Sequence, residues 1–502
     1  MKTSPVLTAY TAGDLENSRV AWDTPVALEP ALLQAGYGLS MARDNATGVL
    51  HLSYLEFSNS SETPGVLVYQ NGTGTHWNEP VIVDDTIGFY HRDVPESVRH
   101  TSIALGPDGL PHIAYMSWSN GYQLKYARML RAGERTWTPG GDIPDRQFPG
   151  EEPGNRTWYT GAERAGSGWL VTSASTPGGL AGWGASLAVD SNNEPRFSYL
   201  GQKGYSSPVM LMYGTYNASV FQQVNMKSAM FTFVPNPVTG LYGSLPFVYW
   251  PEHTRAGIQT SIALDPAGRP LISYSGDTSG NFLPADSAQS ADCGNNGQCL
   301  AHLRLIHTHL NSTVSPAAII PFSFWEIAPI ATGPEPSSSL KSRAGNVLYP
   351  SMAIDARDAV HIASSEQRTV GEKVKGEFSK SATGDNANWT DISYVYYTVV
   401  EPGSAPRTEV VGKSAAKNDM YPALRLDARN SPRMAWADSM SGTIRYAIRT
   451  NGTWVTTGPS GTESGPAQFV NLALDSGGNP QIVYFDAAGE RLKYLHGVEV
   501  RA

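Results

Sequence analysis

Apolar and polar positions alternate, break at a polar turn and resume, and this phrase returns down the chain. It reads "SMARDNATGVLHLSY" from Ser40, "SIALGPDGLPHIAY" from Ser102, "SLAVDSNNEPRFSY" from Ser186 and "SIALDPAGRPLISY" from Ser261. It reads "SMAIDARDAVHIAS" from Ser351, "ALRLDARNSPRMAW" from Ala423 and "NLALDSGGNPQIVY" from Asn471. Each copy predicts a β-hairpin: a short apolar strand, a turn of the Asp-x-x-Gly-x-Pro kind, and a second strand ending in an aromatic. A third strand with its own aromatic follows in "LKYARM", "LMYGTY", "IRYAIR" and "LKYLHG", and Trp77, Trp137 and Trp454 mark a fourth in several copies.

Units of three or four strands that cannot bury their faces alone, repeated seven times, predict an all-β chain: a seven-bladed β-propeller forming a single domain over 1–502. Its units start near residues 40, 102, 186, 261, 351, 423 and 471. Eight blades is the alternative, with a degenerate unit concealed in 146–182. The last copy stops after its third strand, and "SRVAWDTPVALEP" ahead of the first copy reads as the missing outer strand. The two ends would then close the ring in one blade and remove the free edges of an open sheet.

Residues that recur at one repeat position are read first as scaffold. Asp44, Asp190, Asp265, Asp355, Asp427 and Asp475 share a turn position and are expected to cap turns. Tyr54, Tyr115, Tyr199, Tyr274, Trp436 and Tyr484 share a strand end and are expected to pack between units. His51, His112 and His361 coincide in the same way, so no chemistry is assigned to them.

Composition supports the β reading. With 50 Gly, 35 Pro, 24 Tyr and 12 Trp in 502 residues and only 16% charged residues, the chain is rich in turn formers and aromatics. A net charge of -9 argues against a nucleic-acid partner held by bulk charge. No apolar run is long enough to span a membrane, and the opening residues lack the apolar stretch of a signal peptide. Cys293 and Cys299 in "DCGNNGQC" bracket a short polar loop, and a loop-closing disulfide is expected there rather than a metal site. A disulfide implies an oxidising compartment, hence a secreted or periplasmic protein whose export signal has been removed. No motif asks for a cofactor, a structural calcium is the one ion left open, and a monomer is expected.

One rim of such a ring receives the short turns and the other receives long, unequal insertions, at 86–99, 146–182, 230–257, 277–300, 330–347 and 365–392. Function is expected on the unequal rim. Two residues ahead of each copy stand Gly38, His100, Gly184, Gln259, Tyr349, Tyr421 and Phe469, all expected at the channel mouth. Histidine occurs there once, so His100 is no repeat letter. Arg99 adjoins it, and "YHRD" brings His91 and Arg92 to the same rim. The insertions add Trp158, Tyr159 and Arg164 before Trp183, and Tyr249, Trp250, His253 and Arg255 before Gln259. Aromatic faces for stacking sugars, arginine for a carboxylate or sulfate, and His or Tyr for proton transfer are the groups a carbohydrate site needs. The substrate-binding set is therefore Arg99, His91, Arg92, Trp183, Trp250, His253, Gln259, Tyr349 and Tyr421.

Through "RHTSIALGPDGLPHIAY", where a histidine opens an inner strand, the chain resembles secreted bacterial propellers with BNR-like repeats, among them propeller-type polysaccharide lyases such as the ulvan lyases. The resemblance implies β-elimination on an acidic, uronate-containing polysaccharide: arginine neutralises the carboxylate, and His or Tyr removes the C5 proton and protonates the leaving oxygen. Carried over, it implies His100 as catalytic, with Tyr159 or Tyr249 and Arg164 or Arg255 as partners. Where the family often has a second histidine after the second strand, this chain has Trp118 and Asn120. The other reading is a non-catalytic glycan- or protein-binding propeller. A repeat lectin would reproduce its binding residues in every unit, and here the insertions differ in each.

Overall fold

A computed structural model describes residues 20–28, 34–57, 64–89, 100–118, 123–132, 156–158, 162–163, 168–173, 180–202, 210–217, 220–225, 259–277, 301–308, 325–329, 340–343, 347–373, 387–414, 420–438, 442–450, 452–459 and 467–500. Among these the secondary structure is all β, with no helix. The strands form seven antiparallel sheets of four or five strands. Each repeat supplies the first two strands of one sheet, for example Thr101–Leu105 with Pro111–Ser117 and Ala423–Leu426 with Pro432–Asp438.

The turn aspartates act as the repeat predicts. Asp265 Oδ1 accepts the backbone N–H of Ala267 at 2.9 Å and of Arg269 at 2.8 Å, and Asp475 Oδ1 accepts those of Gly477 and Asn479 at 2.8 Å. Two donors that the tight turn would otherwise orphan are satisfied by one carboxylate oxygen, which fixes the hairpin and its register. Strand-end aromatics are buried, Tyr115 and Tyr199 at 0% exposure, and fill the space between neighbouring sheets. Full burial of such a side chain contributes roughly 1.5–3 kcal/mol.

The repeated histidines belong to this scaffold. His51, His112 and His361 each place Nδ1 within 2.6–2.7 Å of a third-strand tyrosine hydroxyl, on Tyr69, Tyr126 and Tyr397. Burial holds all three imidazoles below the usual histidine range, His112 down to about 4. They are neutral packing groups.

The stretch expected to supply the missing outer strand does pair with the last one. Val20–Trp22 runs antiparallel to Arg491–Glu499, with Val20 opposite Glu499 and Trp22 opposite Gly497. In 146–182, the described strands join existing sheets: Ala162–Glu163 and Trp169–Ser173 extend the second, and Arg156–Trp158 pairs with the outer strand of the third. No separate sheet is formed there among the described residues.

The inner strands adjoin one another in chain order, and Ala467–Leu474 also adjoins Gln34–Arg43. A hydrogen bond marks successive junctions. The first serine of each copy accepts a backbone N–H from the next inner strand: Ser40 from Ile103, Ser102 from Leu187, Ser186 from Ile262, Ser261 from Met352 and Ser351 from Leu424, all at 3.0–3.1 Å. Asn471 instead donates its amide to Leu39 O at 2.8 Å. Ala423 has no side-chain oxygen to offer.

Candidate functional site

The inner strands enclose a cavity of about 410 Å³. Six of the seven residues placed two positions ahead of each copy line it: His100, Gly184, Gln259, Tyr349, Tyr421 and Phe469. Backbone geometry brings them there. Gly38 and Gly184 have φ of 64° and 55°, and Tyr349, Tyr421 and Phe469 adopt the same left-handed backbone at 55°, 41° and 51°. In four of these copies the inner strand bulges, with register shifts between Tyr37 and Ser40, Trp183 and Ser186, Leu348 and Ser351, and Gln468 and Asn471. A left-handed bulky residue costs about 1 kcal/mol or more and persists where surrounding contacts hold it.

Those contacts form a continuous arc. The rings of Tyr349 and Tyr421 lie 4.5 Å apart between centroids, Tyr421 and Phe469 5.0 Å, and Phe469 meets His100 edge-on at 6.0 Å. From the other side Gln259 Nε2 contacts His100 Nε2. Gly38 stands between the Phe469 and His100 positions and Gly184 between those of His100 and Gln259, so two missing side chains let His100 be reached from both flanks. Gln259, Tyr349, Tyr421 and Phe469 are each under a tenth exposed, whereas His100 is only partly buried. His100 is thus the member of the arc that solvent and a ligand reach.

Of the other expected site residues, Tyr349, Tyr421 and Gln259 stand at the cavity. Trp183 is packed in the core at 8% exposure and does not line it. The strand bulges on both sides of Trp183. His91, Arg92, Arg99, Tyr159, Arg164, Tyr249, Trp250, His253, Arg255, Cys293 and Cys299 lie outside the described residues. No three of His, Cys, Asp and Glu come together as metal ligands among the described residues. Among the described residues no helix is long and apolar enough to cross a membrane.

One lining residue was missed in reading the sequence. Two positions into each inner strand stand Ala42, Ala104, Ala188, Ala263, Ala353 and Ala473, but the sixth copy has Arg425. Arg425 and Ala353 both line the cavity, and among the described residues no aspartate or glutamate lines it. Its Nη1 donates to Leu424 O at 2.7 Å, and burial lowers its pKa. The signal was the one that singled out His100: a single departure at a repeat position.

No family model matches the chain, and neither does any curated protein sequence. Among solved structures it is similar to the polysaccharide lyase Uly1, at 11% identity over 100% of this chain and 96% of that one, with a TM-score of 0.44. It is also similar to a PL25 ulvan lyase bound to -[GlcA(1-4)Rha3S]-, at 10% identity over 92% and 93% of the two chains, TM-score 0.46. A mutant Aleuria aurantia lectin in complex with Fucalpha1-6GlcNAc gives 10% identity over 87% and 100%, TM-score 0.37. At this distance the likeness says nothing of what the chain binds or does.

Proposed function

We propose that the chain is a closed seven-bladed β-propeller, exported from the cytoplasm, whose axial mouth cleaves an acidic polysaccharide by β-elimination. The observation that carries this reading is His100: the one histidine at the mouth position, partly exposed and held between Phe469 and Gln259. The proton beside a uronate carboxylate becomes acidic enough to remove only when that carboxylate is neutralised and a base stands near. In this reading Arg164 or Arg255 from the insertions neutralises the carboxylate. Substrate displaces the Gln259 amide from the imidazole, His100 takes the C5 proton, the electron pair forms the C4–C5 double bond, and the C4–O bond breaks. Tyr159 or Tyr249 supplies the proton that the leaving oxygen takes up.

The second reading, a glycan-binding propeller without turnover, is favoured by the Gln259 amide, which occupies the imidazole lone pair that a base needs. The two part on one experiment. Ulvan, pectins, alginate and glycosaminoglycans are incubated with the protein and with His100→Ala, and absorbance of the unsaturated uronate is followed. A rise that the variant abolishes supports elimination. No rise on any polymer, with binding retained, replaces it with the binding module.

A further inference from the structure

We propose that Arg425 forms an oxyanion-binding site inside the axial cavity, for a sulfate or carboxylate group, distinct from the chemistry at the mouth. Three observations converge. At this repeat position six copies carry alanine and one carries arginine, Ala353 and Arg425 both line the cavity, and Arg425 is the only Asp, Glu, Lys or Arg among the described residues that line it. Among the described residues no carboxylate pairs with its guanidinium, and Leu424 O takes one of its N–H groups. A part-buried guanidinium that meets no carboxylate among the described residues gains from an arriving anion, and its planar donors match the two oxygens of a carboxylate or sulfate.

The serines supply the rest of the coordination. Ser40, Ser102, Ser186, Ser261 and Ser351 line the same cavity, and each Oγ already accepts a backbone N–H. Their own hydroxyl protons have no protein acceptor among the described residues. They point the cavity's hydrogen-bonding capacity towards acceptors, which suits an anion and repels no part of it. Arg425 lies within the inner strand Ala423–Leu426, and Tyr421 precedes that strand, so the site is below the mouth.

The site needs no catalysis, so its test is independent of the eliminase reading. Isothermal titration at constant ionic strength would use sodium sulfate, sodium glucuronate and sodium chloride against the protein, Arg425→Ala and Arg425→Lys. Alanine is the repeat's own residue at this position, so the first variant is expected to fold, and melting confirms it. Saturable binding of sulfate or glucuronate, weakened about tenfold or more in Arg425→Ala and less in Arg425→Lys, supports the proposal. Tighter binding of inorganic sulfate points to a free anion, and tighter glucuronate to the acid group of a sugar. No saturable binding of either, or equal binding by the folded Arg425→Ala protein, overturns it.

Discussion

Ser351 Oγ accepts the backbone N–H of Leu424 at 3.1 Å, tying the inner strand of one sheet to the next. The N–H belongs to the edge of an innermost strand, where no further strand can pair with it, so a side chain does the work of a ladder partner. The same bond recurs at four earlier junctions and stops at Ala423, whose counterpart would be Leu472.

Ala423→Ser should therefore add a hydrogen bond at the junction that lacks one. The gain expected is about 0.5–1.5 kcal/mol, read as a higher denaturant midpoint with an unchanged slope. Ser351→Ala should lose a similar amount. A destabilised Ala423→Ser protein would show that the sixth junction is too tightly packed for a hydroxyl.

Stability should depend on pH through the buried histidines. His112 has its pKa lowered to about 4 by burial, against about 6.5 in the unfolded chain. Between those values the unfolded state binds the proton and the folded state does not, so stability is whole above pH 6.5 and falls as pH drops towards 4. For His112 alone the loss is on the order of 3 kcal/mol. The seventh copy shows the replacement: Gln481 donates to Tyr494 Oη at 3.1 Å where the second has His112 against Tyr126. His112→Gln should flatten the slope of unfolding free energy between pH 4 and 6.5. An unchanged slope would assign the acid sensitivity elsewhere.

Trp22 joins the two ends of the chain. It is 7% exposed and meets Tyr446 edge-on at 5.6 Å, while its strand pairs with Arg491–Glu499. Trp22→Ala is expected to cost about 3–5 kcal/mol. Loss of the strand would make the longer Arg491–Glu499 strand the exposed edge of its sheet, so light scattering should rise on warming well before it does for the parent. A variant as stable and soluble as the parent would make the terminal strand dispensable.

The hairpins were legible because one period-2 phrase returns seven times, and Asp265 and His112 read as scaffold because their counterparts did. The mouth position was legible by counting back from the same phrase. The bulges on either side of Trp183 were not, because a bulge leaves no mark in the polar pattern. Arg425 was overlooked for a different reason. Within "ALRLD" it reads as an ordinary polar letter of an alternating strand, and only alignment against six alanines makes it an exception.

The glycines at 38 and 184 and the arginine at 425 share a consequence. A ring of near-identical strands offers a ligand many equivalent rotations about its axis, and most would be indistinguishable in energy. In the proposed ring, one histidine at the entrance and one cation within would break that equivalence. A molecule entering the axis would then meet one preferred heading rather than seven.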